Sequence, residues 1–263
     1  MFIMENTMVP PSPAVEQQKD PRPNIIFCIP GNHFSDAFLK SWTNCLLNLF
    51  VKYNIILSNH YASMVNFARA MCLGADVLKG PDQKPFQGEL NYDAIVWLDS
   101  DMVFNANTLD KLIQKCLNNN PVVSGCYFMD GGNYLCCVEK WDKEYYKKKG
   151  SFQFLSIPDY KEKMNINDET TEIDINNDVI LECAYAGMGC MAIRKGVLED
   201  NRMKYPWFFR NIEHFQNAAG HIVMSEGTSE DVAFIRNLID SGIIDYVAVY
   251  LNLRFGHEKR IVF

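Results

Sequence analysis

The sequence lacks a long apolar run, a metal-binding cysteine spacing and any excess of positive charge. No apolar stretch approaches the roughly 18 residues that a membrane-spanning helix needs, and the N-terminus has neither the basic start nor the apolar stretch of a secretory signal. The formal net charge of -7 argues against nucleic acid as the main partner, because contact with a phosphate backbone needs a basic surface. These absences predict a cytoplasmic protein without a transmembrane segment.

Nine cysteines are present, but their spacing does not form a zinc motif. Cys136 and Cys137 are adjacent, and no two cysteines are separated by two residues, which argues against a structural metal site. Several others lie inside apolar runs: Cys28, Cys72, Cys116 and Cys190. We therefore expect small buried thiols in a reducing compartment rather than a disulfide framework.

The composition is that of a globular domain with a substantial core. The chain has 263 residues, of which 48% are hydrophobic and 13% aromatic, and this is enough to bury one large α/β domain. Residues 1–23 differ because they are rich in Pro, Glu and Gln, and they are predicted to form a flexible leader. The folded domain is expected over residues 24–263.

Strand and helix patterns alternate through the first half of this domain, which implies a mostly parallel sheet that helices flank on both faces. The later part of the chain is less regular, and residues 130–182 show no comparable pattern. The predicted strands are 25–29, 54–57, 94–98, 122–124, 190–193 and 246–251, and the predicted helices are 36–51, 61–73, 109–117 and 229–241.

The segment Asp99-Ser100-Asp101 directly follows the predicted strand at 94–98. Ligands of open parallel sheets bind beyond the carboxyl ends of the strands. Two carboxylates on one short turn there suit a hard divalent cation such as Mn²⁺ or Mg²⁺, which prefers oxygen ligands. Such a cation keeps positions open for substrate phosphates and neutralises a diphosphate leaving group. The alternative for this segment is a turn with no ligand.

This segment resembles the DxD motif of glycosyltransferases with a GT-A fold, and the sequence is similar to family 2 of that group. Three further stretches resemble motifs of the same family in the expected order, so that the resemblance spans about residues 24–260. Gly187 and Gly189 lie in a stretch similar to its glycine loop, Ser229-Glu230-Asp231 resembles its xED motif, and His257 resembles its C-terminal metal-binding histidine.

The resemblance implies a single GT-A domain with a nucleotide-sugar-binding half at residues 24–125 and an acceptor-binding half at 126–263. Asp99, Asp101 and His257 would hold Mn²⁺ or Mg²⁺ against a diphosphate. Asp231 would be the general base, with Glu230 as its substitute. The implied reaction transfers a hexosyl or pentosyl group from a UDP- or GDP-sugar to a hydroxyl of a glycan or glycoconjugate, and inversion of the anomeric centre is the favoured outcome.

The resemblance also implies which residues bind the donor. Arg69 would approach the diphosphate, because a guanidinium can bind two phosphate oxygens at once. The loop after the first strand, which includes Pro30 and Asn32, would hold the base and the ribose. Ser100 and the two glycines, Gly187 and Gly189, would complete the nucleotide-sugar site.

Each motif also has an interpretation without catalysis. Gly187 and Gly189 suit a tight turn, and Glu230 and Asp231 suit the first turn of a helix after an N-cap at Ser229. Two other functions stay open: a sugar-1-phosphate nucleotidyltransferase, and a non-catalytic nucleotide- or sugar-binding protein on the same scaffold. The first usually has a basic glycine-rich loop after its first strand, whereas residues 30–35 contain no Lys or Arg.

Overall fold

The computed structural model describes residues 20–129, 131–168 and 171–258. Its strands are β1 Asn24–Pro30, β2 Asn54–His60, β3 Ala94–Leu98, β4 Met102–Val103, β5 Val122–Cys126, β6 Tyr134–Val138, β7 Phe154–Ser156, β8 Ile180–Cys183, β9 Tyr185–Ala186, β10 Cys190–Arg194, β11 Ile212–Gln216, β12 Ile222–Gly227, β13 Val247–Arg254 and β14 Gly256–His257. Its α-helices are α1 Asp36–Leu49, α2 Val65–Cys72, α3 Ala106–Asn118, α4 Lys143–Lys149, α5 Ile157–Lys163 and α6 Glu230–Asp240.

A seven-stranded sheet with the order β2-β1-β3-β10-β5-β13-β8 forms the centre of the domain. β1 is parallel to β2 and β3, and β13 is parallel to β5. β10 lies antiparallel between β3 and β5, and β8 is antiparallel to β13. Five of the seven strands therefore run in one direction. The predicted α/β class with a mostly parallel sheet is confirmed.

Alternate residues of the central strands enter two separate cores, one on each face of the sheet. On β1, Ile26 and Cys28 pack into one core, together with Trp97 of β3 and residues of α2 and α6. Ile25 and Phe27 pack into the other core, with residues of α1 and α3. Strands buried on both faces read as continuous apolar runs rather than as alternating ones, and this is why β1 and β3 could be located from the sequence.

The helix ends follow the capping residues more closely than the apolar patterns. The Ser35 side chain accepts a hydrogen bond from Phe38 N at the start of α1, and Asn105 accepts one from Thr108 N at the start of α3. The helix predicted at residues 61–73 is shorter, because α2 begins only after Met64, which has an extended backbone and no side-chain cap. Each polar cap satisfies an N–H that the first helical turn leaves unpaired.

The segment 130–182, which showed no regular pattern, contains several short elements. β6 pairs with β7 and with β9 in a three-stranded sheet, and the hairpin β11–β12 lies beyond it in the chain. Near the end of the described chain, β14 pairs with β4, so that His257 lies opposite Met102. This two-stranded pairing brings the C-terminal residues to the segment that follows β3.

The cysteines agree with the expectation of buried thiols. All nine are free, and only Cys136 is not fully buried. None of the described helices is long and apolar enough to cross a membrane.

Most of the predicted leader, residues 1–19, lies outside the described residues. Three hydrogen bonds join the described end of the leader to the domain: Arg22 Nη1 donates to Phe50 O at 2.6 Å, Asn54 Nδ2 donates to Arg22 O at 3.2 Å, and Asn54 N donates to Pro23 O at 2.8 Å.

Candidate active site

The turn after β3 places Asp99, Ser100 and Asp101 at the carboxyl end of a fully buried strand. Asp99 N donates to Gly189 O at 2.9 Å, and Met102 N donates back to Asp99 O at 3.1 Å. The first bond holds the turn against the segment that precedes β10, and the second closes the turn itself. The carboxyl ends of strands are where open α/β sheets bind ligands.

Arg69 is buried beneath this turn. It belongs to α2 and is 3% exposed. Its Nη2 lies 3.0 and 3.2 Å from the two carboxylate oxygens of Asp99, and its Nε donates to Glu230 Oε1 at 3.1 Å. Nη1 is buried and has no hydrogen-bond partner among the described residues. The guanidinium therefore joins a carboxylate of the first half to one of α6.

The pKa values of Arg69 and Asp99 reflect both their burial and the charges of their neighbours. Burial disfavours the charged guanidinium, but Asp99 and Glu230 outweigh it and raise the pKa of Arg69 above its ordinary value. Burial also raises the pKa of Asp99; Arg69 acts against this rise, and the nearby carboxylate of Asp101 adds to it. A cation beside Asp99 and Asp101 would relieve the cost of holding these two negative charges together.

His257 faces Asp101 across the β4–β14 pairing. Its Nδ1 lies 2.9 Å from Phe128 O, and its Nε2 lies 3.3 Å from Asp101 Oδ2. A carbonyl oxygen only accepts hydrogen bonds, so Nδ1 carries a proton, and in the neutral ring the lone pair is on Nε2. Histidines that bind metals commonly donate their other nitrogen to a carbonyl or carboxylate in this way.

The three predicted metal ligands line one cavity. Asp99, Asp101 and His257 border a cavity of about 310 Å³, together with Asp231 and Tyr127. Within the described ranges, no three His, Cys, Asp or Glu side chains are arranged as a finished metal site. Both oxygens of Asp99 are bonded to Arg69. The donor set fits Mn²⁺ or Mg²⁺, with Asp101 and His257 already facing each other.

The two carboxylates at the start of α6 have different partners. Glu230 is bonded to Arg69, whereas Asp231 Oδ2 accepts from the Tyr185 hydroxyl at 2.9 Å. Asp231 Oδ1 accepts from Ser229 Oγ and from Val232 N. Ser229 occupies the expected N-cap position but makes no side-chain cap bond to the helix backbone, because its hydroxyl binds Asp231 instead. Asp231 therefore lies on the cavity, and Glu230 lies behind it.

A tyrosine fills the space beside the predicted glycine loop. A Cβ atom at Gly187 would lie 2.2 Å from Tyr127 Oη and 2.5 Å from Cys136 Sγ, and one at Gly189 would lie 2.9 Å from Tyr127 Oη. Gly189 N also donates to Tyr127 Oη at 2.9 Å. Close packing against Tyr127 thus accounts for both glycines, and their predicted contact with a nucleotide sugar stays a prediction.

Sequence reasoning missed three residues beside Asp231, namely Tyr127, Cys136 and Tyr185. Burial and the charge of Asp231 raise the pKa of Tyr185 well above its ordinary value, and they raise the pKa of Cys136 to about 11, so both keep their protons at neutral pH. Tyr127 follows the carboxyl end of β5 directly. That position is the sequence feature that could have placed Tyr127 at the site.

The loop after β1 lies beside Ser100. Gly31 has φ +134, and a Cβ there would lie 3.1 Å from Ser100 Oγ. Pro30 is buried at the end of β1, and Asn32 is exposed with its Oδ1 2.6 Å from His33 Nδ1. Among the described residues around the Asp99 cavity, neither Pro30 nor Asn32 forms part of the lining. Their role in holding the base and ribose stays a prediction.

No protein-family profile matches the sequence, and no curated protein matches it. Solved structures do. Protein A197 from STIV is similar at 17% identity, with 90% of this chain and 86% of A197 covered and a TM-score of 0.50. Glucosyl-3-phosphoglycerate synthase from Mycobacterium tuberculosis, crystallised with Mn²⁺, UDP-glucose and phosphoglyceric acid, is similar at 15% identity, with 92% and 74% covered and a TM-score of 0.41. S. aureus TarS, residues 1–349, is similar at 13% identity, with 89% and 60% covered and a TM-score of 0.42. Similarity at this level of identity concerns the fold alone.

Proposed function

We propose that this chain is a metal-dependent glycosyltransferase that moves a sugar from a UDP- or GDP-sugar to an acceptor hydroxyl of a glycan or glycoconjugate. The observation that carries the proposal is the cavity at the carboxyl end of β3, where Asp99, Asp101, His257 and Asp231 lie together. Ligands for a divalent cation and a separate carboxylate that can accept a proton are the two sets of groups that this transfer needs.

On the donor side, Asp101 and His257 would hold Mn²⁺ or Mg²⁺, and Asp99 would join them. The cation, when bound, supplies a Lewis acid for the negative charge that develops on the leaving diphosphate. Arg69 compensates the charge of Asp99 through Nη2. Its Nη1, which has no partner among the described residues, is the atom that remains to donate to the diphosphate.

On the acceptor side, Asp231 would be the general base. The hydroxyls of Tyr185 and Ser229 bind its two carboxylate oxygens and hold it in place. It would take the proton from the acceptor hydroxyl as the hydroxyl oxygen attacks the anomeric carbon and the diphosphate departs from the opposite face. One such displacement inverts the anomeric centre. Glu230 is bonded to Arg69 instead, which favours Asp231 over Glu230 in this role.

The test is a panel of UDP- and GDP-sugars, incubated with the full chain in Mn²⁺, in Mg²⁺ and in EDTA. We expect the nucleoside diphosphate to be released from at least one donor with metal and from none in EDTA. A non-catalytic binding protein would show a raised melting temperature with a donor but no release. A nucleotidyltransferase would release pyrophosphate from a nucleoside triphosphate and a sugar 1-phosphate. Either result, or full turnover in EDTA, would refute the proposal.

A further inference from the structure

A second cavity, of about 360 Å³, lies beside Tyr185. Its volume is in the range of small-molecule sites, and within the described chain it shares no lining residue with the Asp99 cavity. Its walls are mainly aromatic, and the rings come from α4, β7, β9, β11 and the loops on either side of α4. The aromatic lining residues are Trp141, Tyr146, Phe152, Phe154, Tyr185 and Phe215.

Four of these rings form a continuous chain of contacts, in which two pairs are stacked and the pair between them is tilted. The Trp141 and Phe152 ring centroids are 3.7 Å apart, and Tyr146 lies 4.7 Å from Phe152 on one side and 4.7 Å from Phe215 on the other. The guanidinium of Arg236 covers the Trp141 ring at 5.1 Å. Because their faces pack against one another, these rings stiffen the wall of the cavity rather than offer a free face to a ligand.

The other two rings, Phe154 and Tyr185, make no ring–ring contact with any aromatic side chain in the described part of the chain. Both line the cavity; Phe154 is half-buried, whereas Tyr185 is only 5% exposed and offers a small part of its surface to a ligand. Tyr185 also donates its hydroxyl to Asp231 at 2.9 Å. Tyr185 thus separates this cavity from the carboxylate that we assign as the base, and a ligand that contacts Tyr185 would lie one side chain away from Asp231.

The charged side chains that line this cavity, within the described chain, are two carboxylates. Glu213 and Glu226 line it, together with the hydroxyl of Thr228, and no Lys or Arg is among the described residues of the lining. Glu213 accepts from Lys143 Nζ at 2.7 Å, while Glu226 is exposed. Carboxylates and hydroxyls bind the hydroxyl groups of a neutral ligand well, but the carboxylate of Glu226 repels a phosphorylated one.

We propose that this cavity binds the acceptor, and that the acceptor is a neutral pyranose sugar. The apolar face of its ring packs on Phe154, beside the part of Tyr185 that lines the cavity, its hydroxyls bind Glu226 and Thr228, and the hydroxyl to be glycosylated points past Tyr185 towards Asp231. This inference rests on the proposed function, since an acceptor site has a role only beside a transferring centre. It names a substrate class that the donor site leaves open.

Saturation-transfer difference NMR tests this directly, with the full chain, no donor and no added metal. The probes are methyl α-glucopyranoside, methyl β-galactopyranoside, methyl α-mannopyranoside and glucose 6-phosphate, each at millimolar concentration. We expect signal from at least one methyl pyranoside and none from glucose 6-phosphate. Phe154→Ala is expected to raise the Kd of the bound pyranoside about five- to tenfold, because a ring face is lost, whereas Phe154→Tyr retains the ring and the affinity.

Two further variants serve as controls. Tyr134→Ala removes an aromatic ring that is 50% exposed and outside the cavity, and binding should not change. Glu226→Lys changes only an exposed side chain and should allow glucose 6-phosphate to bind. Circular dichroism establishes that each variant is folded.

The inference is overturned if no methyl pyranoside binds, if folded Phe154→Ala binds as the wild type does, or if Glu226→Lys does not gain the phosphorylated sugar. Donor release without pyranoside binding would remove this inference alone. Pyranoside binding without any donor release would instead remove the proposed transfer.

Discussion

In the first half of the domain, apolar residues are buried between the central sheet and the helices on its two faces. In part of the second half, local contacts between side chains bury them instead. Residues of β1 and β3 are enclosed between helices on both faces of the sheet, and Ile25 and Val96 are fully buried. In the hairpin β11–β12, by contrast, Phe215 is the one buried residue, and it is held by its stack on Tyr146. The proposed donor site therefore lies on the layered part of the molecule, and the proposed acceptor cavity has a wall that local contacts stabilise.

The candidate site draws on both regions. Asp99 and Asp101 come from the turn after β3, whereas Asp231 comes from α6 and His257 from β14. Substitutions in the two regions should therefore differ in what they change, and the expected effects can be ordered from the largest to the smallest.

The largest expected effect is on backbone amide hydrogen exchange. Amides of β1 and β3 should open only with global unfolding, while those of β11 and β12 should open locally, so that protection factors differ by about 10³ or more. β13 shows whether the difference in protection follows the position in the chain or the position in the fold, because this strand belongs to the second half of the chain but to the central sheet. It should be protected like β1. Equal protection of β11 and β1 would remove the contrast.

The next largest effect is expected at the metal ligands. Asp101→Ala should lower kcat on the order of 10³-fold, as the loss of the groups that stabilise a leaving diphosphate does, and EDTA should abolish wild-type turnover. The melting temperature in EDTA should hardly change, because Asp101 is partly exposed at the surface of the cavity. Asp36→Asn is a matched control at an exposed carboxylate. Wild-type turnover of the Asp101→Ala variant would contradict the assignment of Asp101 as a metal ligand.

The paired carboxylates of α6 provide the third test. Asp231→Asn should lower kcat about 10²-fold, the usual scale for a lost general base, with donor binding unchanged. Glu230→Gln should be milder in kcat but should lower the melting temperature more, because it removes a charge partner of buried Arg69. Product NMR reads the anomeric configuration. Retention of the anomeric configuration would exclude the inverting mechanism. An active Asp231→Asn variant would exclude Asp231 as the general base.

The smallest effect concerns the N-terminal edge of the layered half. Deleting residues 1–19 should leave the free energy of unfolding unchanged, given their proline-rich composition. Deleting residues 1–22 also removes two hydrogen bonds, from Arg22 to Phe50 O and from Asn54 to Arg22 O, each of which should contribute about 0.5–1.5 kcal/mol. Urea denaturation compares the two truncations. A large loss from the shorter deletion would show that the leader packs on the domain.

The layered half could be predicted well from the sequence for a physical reason. Residues 25–29 and 94–98 are continuous apolar runs because β1 and β3 face a core on each side. Asp99 and Asp101 stood out because polar residues directly follow such a run. The short elements between residues 130 and 182 have neither long apolar runs nor helical periodicity, so they could not be located.

The aromatic side of the site was missed for a related reason. Tyr127, Tyr185 and Phe154 look like ordinary core residues in sequence, and they are distinguished only by what lies beside them. Tyr185 is informative because its hydroxyl binds Asp231, and that contact joins positions 46 residues apart in the chain. The burial of Arg69 could not be predicted from its neighbours in sequence either, since its guanidinium is bonded to Glu230, 161 residues away.

The bond between Arg69 and Glu230 has a consequence for protein engineering. A chimera that joins residues 24–125 of this chain to the later part of another domain would place the cationic side chain of α2 against a new helix. Without a carboxylate at the position of Glu230, a buried positive charge would keep only Asp99 as its partner, at a cost of several kcal/mol. Exchangeable modules of this fold should therefore be cut so that α2 and α6 are inherited from the same parent.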